Sequence, residues 1–176
     1  KLRKYGHQQI LVTGPQRSGT TIAHQIIAQE MGFKPIKEEY IKVDDMDFVN
    51  YLRRDECKFV LQAPGLAHCW NDWEGDAVIF IYRDPAGIRA SQKRISWDWE
   101  KHEYQKCLSV AEKYGIMALP DDSTLAKQYI WSVMGPHYTY MKGPNRKFIL
   151  PYTALAGHPL WVSKEKRTHF HARQTE

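Results

Sequence analysis

Residues 10–21, Ile10-Leu11-Val12-Thr13-Gly14-Pro15-Gln16-Arg17-Ser18-Gly19-Thr20-Thr21, constrain the fold more than any other part of the chain. Three successive aliphatic residues read as a buried strand. The segment that follows is a loop bounded by two glycines, and residues 20–31 carry Ile22, Ile26, Ile27 and Met31 at helical spacing. Gly32 supplies the helix with a C-terminal stop. A strand that feeds a helix through such a loop leaves free backbone N–H groups at the helix start, where the helix dipole also favours negative charge. Glycine lets the backbone come close to a ligand, and Thr20 and Thr21 add hydroxyl donors. The segment therefore predicts an anion site at the end of a buried strand.

The remaining chain repeats the alternation of short apolar runs and helical patterns. Residues 33–36 read as a second strand interrupted by Pro35, 47–54 as a helix and 58–62 as a short buried strand. Residues 76–82 form the clearest strand. A helix is expected over 86–94, with Pro85 suited to its first turn. Longer helical stretches at 97–114 and 123–142 and a last strand at 147–151 lead to a basic C-terminal segment. Strands separated by helices predict an α/β fold with a parallel sheet, and the absence of repeats or low-complexity linkers predicts one domain over residues 1–176.

Composition narrows the class. With 176 residues, 43% hydrophobic and 26% charged, the chain is neither disordered nor fibrous. No apolar run reaches the length of a membrane span, and the opening residues lead straight into a strand, so neither an anchor nor a signal peptide is expected. Cys57, Cys69 and Cys107 are odd in number and lack metal-ligand spacing, which predicts a reducing, cytoplasmic setting and no metal. The net charge of +5 suits either an anionic partner or a solvated basic surface. Six Trp and ten Tyr serve either the core or a stacking pocket. No basic-aromatic motif of a nucleic-acid module is present.

The Gly14-to-Gly19 spacing followed by Thr20-Thr21 nearly matches the nucleotide-binding pattern GxxxxGK[ST]. Thr20, however, stands where that pattern places its phosphate-clamping lysine, and the cation lies inside the loop as Arg17. The strand ending at Tyr82 runs into Arg83-Asp84, without an Asp directly after the apolar residues. Both departures count against an ATP or GTP hydrolase.

This variant resembles the 5′-phosphosulfate loop of sulfotransferases, P-[KR]-S-G-T-T, with Gln16 as one extra residue between the proline and the cation. Arg83-Asp84-Pro85, with Ser91 eight residues after the arginine, is similar to the segment by which that family binds the 3′-phosphate of its donor, 3′-phosphoadenosine 5′-phosphosulfate. Lys37-Glu38-Glu39-Tyr40 resembles the segment carrying the catalytic glutamate in the tyrosylprotein and heparan groups. Residues 152–159, from Tyr152 to His158-Pro159, look like the Y-E-x-L-x-x-H-P segment of the tyrosylprotein group. The resemblance runs from about residue 9 to 160 and is close only in these motifs. The chain departs from the cytosolic group, which places K-[ST]-H where Gln62-Ala63-Pro64 stands here. His68, four residues after Pro64, reads as a packing or surface residue. The C-terminal R-K-G segment is missing, leaving Lys164, Lys166, Arg167 and Arg173 as substitutes.

The resemblance implies a P-loop-type three-layer α/β/α fold with a central mostly parallel sheet. It implies a sulfotransferase that moves a sulfuryl group from 3′-phosphoadenosine 5′-phosphosulfate (PAPS) to a hydroxyl of a carbohydrate, small molecule or protein tyrosine. The donor is expected to meet Arg17, Ser18, Gly19, Thr20, Thr21, Arg83, Ser91, Tyr152 and Arg173. Arg17 and the loop amides would stabilise the leaving phosphate. Glu39 or Glu38 would act as general base, against the alternative of two solvated glutamates among Lys34, Lys37 and Lys42. The expected partners are the sulfate donor and a hydroxyl-bearing acceptor, with no metal, nucleic acid or membrane. Residues 96–104, rich in aromatics and acids, read equally as a wall of the acceptor pocket and as a packed amphipathic helix. A P-loop nucleotide or small-molecule kinase and a non-catalytic nucleotide-binding module are the alternatives.

Overall fold

A computed structural model describes residues 8–38, 46, 49, 58–138 and 146–161. The expected helix at 47–54, apart from Val49, lies outside the described residues, as do Glu39 and the basic residues 164–173. Five strands form one sheet: β1 (Gln9–Thr13), β2 (Lys34–Lys37), β3 (Phe59–Gln62), β4 (Ala77–Tyr82) and β5 (Arg146–Pro151). Their order is β2-β3-β1-β4-β5, and every pairing is parallel. Four α-helices accompany them among the described residues: α1 (Thr20–Met31), α2 (Pro85–Arg94), α3 (Glu100–Tyr114) and α4 (Ser123–Tyr138). The α/β expectation and its parallel sheet are therefore observed.

Alternation along the strands sends side chains to two separate cores. Ile10, Val12, Val60, Ile79 and Ile81 pack with Ala23, Ile26 and Ile27 of α1 on one face. Leu11, Phe59, Leu61, Val78 and Phe80 pack with Cys107 and Val110 of α3 and Ala126, Ile130 and Trp131 of α4 on the other. Covered on both faces, the central strands are continuous apolar runs rather than alternating ones. Half of the tryptophans serve this core. Trp131 stacks on Phe80 at 4.6 Å and meets Trp70 at 4.3 Å, and Trp70, Trp73 and Trp131 are all buried. Among the described residues no helix is long and apolar enough to cross a membrane.

The helix ends follow from sequence chemistry. Gly32 closes α1 at φ 67°, its N–H reaching Ala28 and Gln29 carbonyls. The Asp84 side chain caps α2 by accepting from the Gly87 N–H at 3.0 Å, and Pro85 occupies its first turn. The helix expected from residue 97 begins at Glu100 instead. Ser96 takes φ 50°, and the Trp97 N–H turns back to the Gln92 carbonyl, so residues 97–99 serve as the exit from α2 before α3 starts. Glu100 in turn holds the start of α4, accepting from the Ser123 N–H and, at 2.7 Å, from the Ser123 hydroxyl.

Candidate anion and acceptor site

The chain leaves β1 toward β2 on one side of the sheet, whereas β4 leads to β5 on the other. The crevice at the carboxyl ends of β1 and β4 is thus the topological switch point, where open α/β sheets bind ligands. The 14–20 loop follows β1 and Arg83 follows β4, so the sheet order itself brings the two sequence motifs together.

The loop is tightly packed. Gly14 has φ 145°, and a Cβ there would come within 2.7 Å of the Ile81 carbonyl oxygen. Gly19, at φ 105°, lies directly against Tyr152, and a Cβ would come within 2.5 Å of the ring. Only glycine satisfies both demands at these positions. Arg17 carries a side chain at φ 71°, a conformation that L-residues rarely adopt. Its carbonyl accepts a hydrogen bond from Arg83 Nη1 at 2.9 Å, and its own Nε donates to Ser91 Oγ at 3.2 Å. Arg94 Nη2 donates to the same hydroxyl at 3.3 Å. The Arg83 guanidinium lies 4.2 Å from the centroid of the Tyr152 ring.

Three guanidinium groups therefore converge around Ser91 and the loop. No carboxylate among the described residues lies within salt-bridge distance of any of them. Burial, followed by repulsion from Arg94 and Arg83, depresses the pKa of Arg17. Ser18 Oγ is fully buried and has no hydrogen-bond partner among the described residues. Like charges gathered without a counter-charge repel one another, and an anion among them relieves that cost.

Along the carboxyl edge of the sheet, away from Arg83, lies a second polar group. Gln62 at the end of β3 places its Nε2 3.5 Å from Thr20 Oγ1. Glu38, immediately after β2, accepts from the Gly65 N–H at 2.9 Å. Burial pushes its carboxyl up to about 7 against the pull of that hydrogen bond, and the Glu103 charge adds to the rise. Lys127 and Lys106 oppose it. The same three charges act on His68, which is buried and held neutral, its pKa driven down to about 4 by burial first. Glu103 itself sits well below the ordinary range, at about 2; burial works against ionisation, but Lys127, Gln16 and Lys106 outweigh it. Among the described residues no group of three or more His, Cys, Asp or Glu is arranged to hold a metal ion.

Of the residues picked out by sequence, Arg17, Ser18, Gly19, Thr20, Arg83, Ser91 and Tyr152 meet at one place, and Thr21 continues from it on the exposed start of α1. Glu38 stands beside β3 at the same edge, whereas Glu39 and Arg173 lie outside the described residues. Sequence reading gave no role to Arg94, Lys106 and Lys127, named Gln16 only as an extra loop residue, and included Glu103 only within the 96–104 stretch. Arg94, three residues beyond Ser91, was open to discovery from helical spacing, because positions three apart share a helix face. Lys127 and Glu103 gave no such signal, since a charge within a helical pattern ordinarily marks the solvated side. No protein-family model matches this chain, and no curated protein matches it significantly.

Proposed function

We propose that this chain is a P-loop-type sulfotransferase that uses 3′-phosphoadenosine 5′-phosphosulfate as donor and a hydroxyl compound as acceptor. One observation carries the reading: Arg17 and Arg94 both donate to Ser91, and Arg83 donates to the Arg17 carbonyl, beside a glycine loop and a helix N-terminus, with no carboxylate among the described residues to neutralise the three. Such a site suits a ligand with two separate anionic ends. The loop and Arg17 would take the 5′ end, and Arg83, Ser91 and Arg94 the 3′-phosphate. The lysine that clamps the β- and γ-phosphates in nucleotide hydrolases has no counterpart in the loop, where Thr20 contacts Gln62 instead.

The chemistry asked of the remaining residues is modest. The acceptor oxygen attacks sulfur, the bond from sulfur to the bridging phosphate oxygen breaks, and the acceptor proton passes to a base. Glu38 fits that role. A carboxyl with a pKa of about 7 is partly ionised near neutrality and accepts a proton readily. Arg17 and the loop N–H groups supply preorganised positive charge where the leaving phosphate gains negative charge.

Calorimetric titration with 3′,5′-adenosine bisphosphate and, separately, with ATP–Mg²⁺ tests the reading. Preferential binding of the bisphosphate is the expected result, and preference for ATP would overturn it in favour of a kinase. Bisphosphate binding without sulfate transfer to a broad panel of hydroxyl acceptors would leave the donor site and remove the transferase activity.

A further inference from the structure

The loop carries a residue that the donor itself does not require. Gln16 lies between Pro15 and Arg17, and its side chain bonds to residues of both α3 and α4. Its Nε2 donates to Glu103 Oε2 at 2.8 Å, and its Oε1 accepts from Lys127 Nζ at 2.5 Å. Lys127 and Glu103 also bond directly to each other, closing a three-membered ring of contacts. The Gln16 carbonyl accepts from Gln92 Nε2 of α2 at 3.4 Å. Three helices therefore grip the residue immediately before Arg17.

Lys127 is completely buried, and Glu103 nearly so. A buried ion pair gains little stability over apolar residues of similar size, so what it does best is fix geometry. Here the geometry it fixes is that of a loop whose next residue stands at φ 71°. Without an outside hold, that backbone would relax toward ordinary conformations.

We propose that Gln16, held by the buried Glu103–Lys127 pair, is a positioning residue that presets Arg17 and the loop for an anion before the anion arrives. The loop arm of this inference rests on the contacts alone, and its affinity arm rests on the donor reading above. The pair joins the two halves of the site, because Glu103 and Lys127 also act on Glu38. Their hold on Gln16 ties the arginine loop to the helices that flank the proposed base.

Gln16→Met tests it most cleanly. The side chain keeps its length, loses both hydrogen bonds, and leaves the ion pair with both partners. Hydrogen exchange of the 14–21 backbone should accelerate by roughly tenfold or more, and affinity for 3′,5′-adenosine bisphosphate should fall by roughly tenfold, the loss expected from contacts of this kind. The Glu103→Leu/Lys127→Met pair, which removes both charges together and leaves Gln16 no side-chain partner, should reproduce both effects, and adding Gln16→Met to it should change little further. If Gln16→Met lowers only the melting temperature while loop exchange and affinity stay as in the wild type, the residue is a structural tie and the proposal is overturned. Faster exchange with unchanged bisphosphate affinity would overturn it as well. If the wild-type protein does not bind the bisphosphate at all, the donor reading fails, and the exchange measurement alone decides the loop's preset geometry.

Discussion

Replacing Glu38 by Gln should make the protein more stable at pH 8 and barely change it at pH 4.5. Burial raises the Glu38 carboxyl from 4.5 to about 7 in the folded protein. Between those values the unfolded chain has released its proton while the folded protein still holds it, so stability falls as pH rises through the window. The penalty is complete above pH 7, and at 1.36 kcal/mol per pKa unit it amounts to about 3 kcal/mol. Gln keeps an oxygen for the Gly65 N–H and stays neutral at every pH. The wild-type curve alone would hide the effect. His24 and His68, both lowered from 6.5 to about 4, make stability rise with pH over much of the same range. Glu103, lowered to about 2, contributes only below the Glu38 window. Subtracting urea-unfolding free energies of the wild type from those of E38Q at steps from pH 4.5 to 8 cancels these shared contributions. The difference should climb from near zero to about 3 kcal/mol, centred below pH 7, which corresponds to roughly 6–12 °C in melting temperature at pH 8. A difference that stays flat across pH would refute the claim that Glu38 is held protonated by burial, and the general-base role would lose its support with it.

Other expectations follow from single contacts. Arg17→Ala should lower sulfate transfer by roughly 10²-fold or more under saturating donor, and unchanged turnover would remove Arg17 from the leaving-group role. Gly19→Ala forces a side chain into φ 105° and onto Tyr152; about 1–2 kcal/mol of strain and about 1–3 kcal/mol of overpacking should appear in chemical denaturation. Gly19→Ala/Tyr152→Ala should recover only the packing part. Lys127→Met leaves Glu103 buried with its main counter-charge gone and should cost about 3–5 kcal/mol, most of it regained when Glu103→Gln is added.

The chain states its strand–loop–helix start openly because three neighbouring physical demands coincide there: a buried strand, a backbone that only glycine satisfies, and a helix with its N–H groups free. Arg83 was legible at the carboxyl end of an apolar strand, whereas Ser91 was picked out only through the resemblance of its segment to the family's 3′-phosphate motif. The contact of Tyr152 with Gly19 was not, since nothing local to either residue announces a meeting across the sheet. Glu103 and Lys127 were hidden by their own chemistry. On a helical wheel a glutamate and a lysine stand for the wet face, and only the packing of α3 against α4 turns them inward. Likewise, Glu38 among lysines read as well for a solvated loop as for a base; the distinction lies in burial against Gly65, contributed by the helical turn that follows β3. Pattern reveals what neighbours in sequence decide together, whereas pairing between distant segments appears only in three dimensions.

The Tyr152 ring closes over a loop made of residues near the other end of the described chain. During synthesis the arginine loop leaves the ribosome well before the ring that presses on Gly19 and covers Arg83, which comes more than a hundred residues later. Even the central strand β1 waits for both its neighbours, β3 and β4, to be made. Long-range pairings of this kind close slowly, because loop entropy is spent before any contact rewards it. A nascent chain paused before β5 thus holds most residues of the candidate site but not their assembled arrangement. The candidate site is assembled only with the docking of β5, and the interval before it is when the unfinished sheet edge at β4 is most open to wrong pairing.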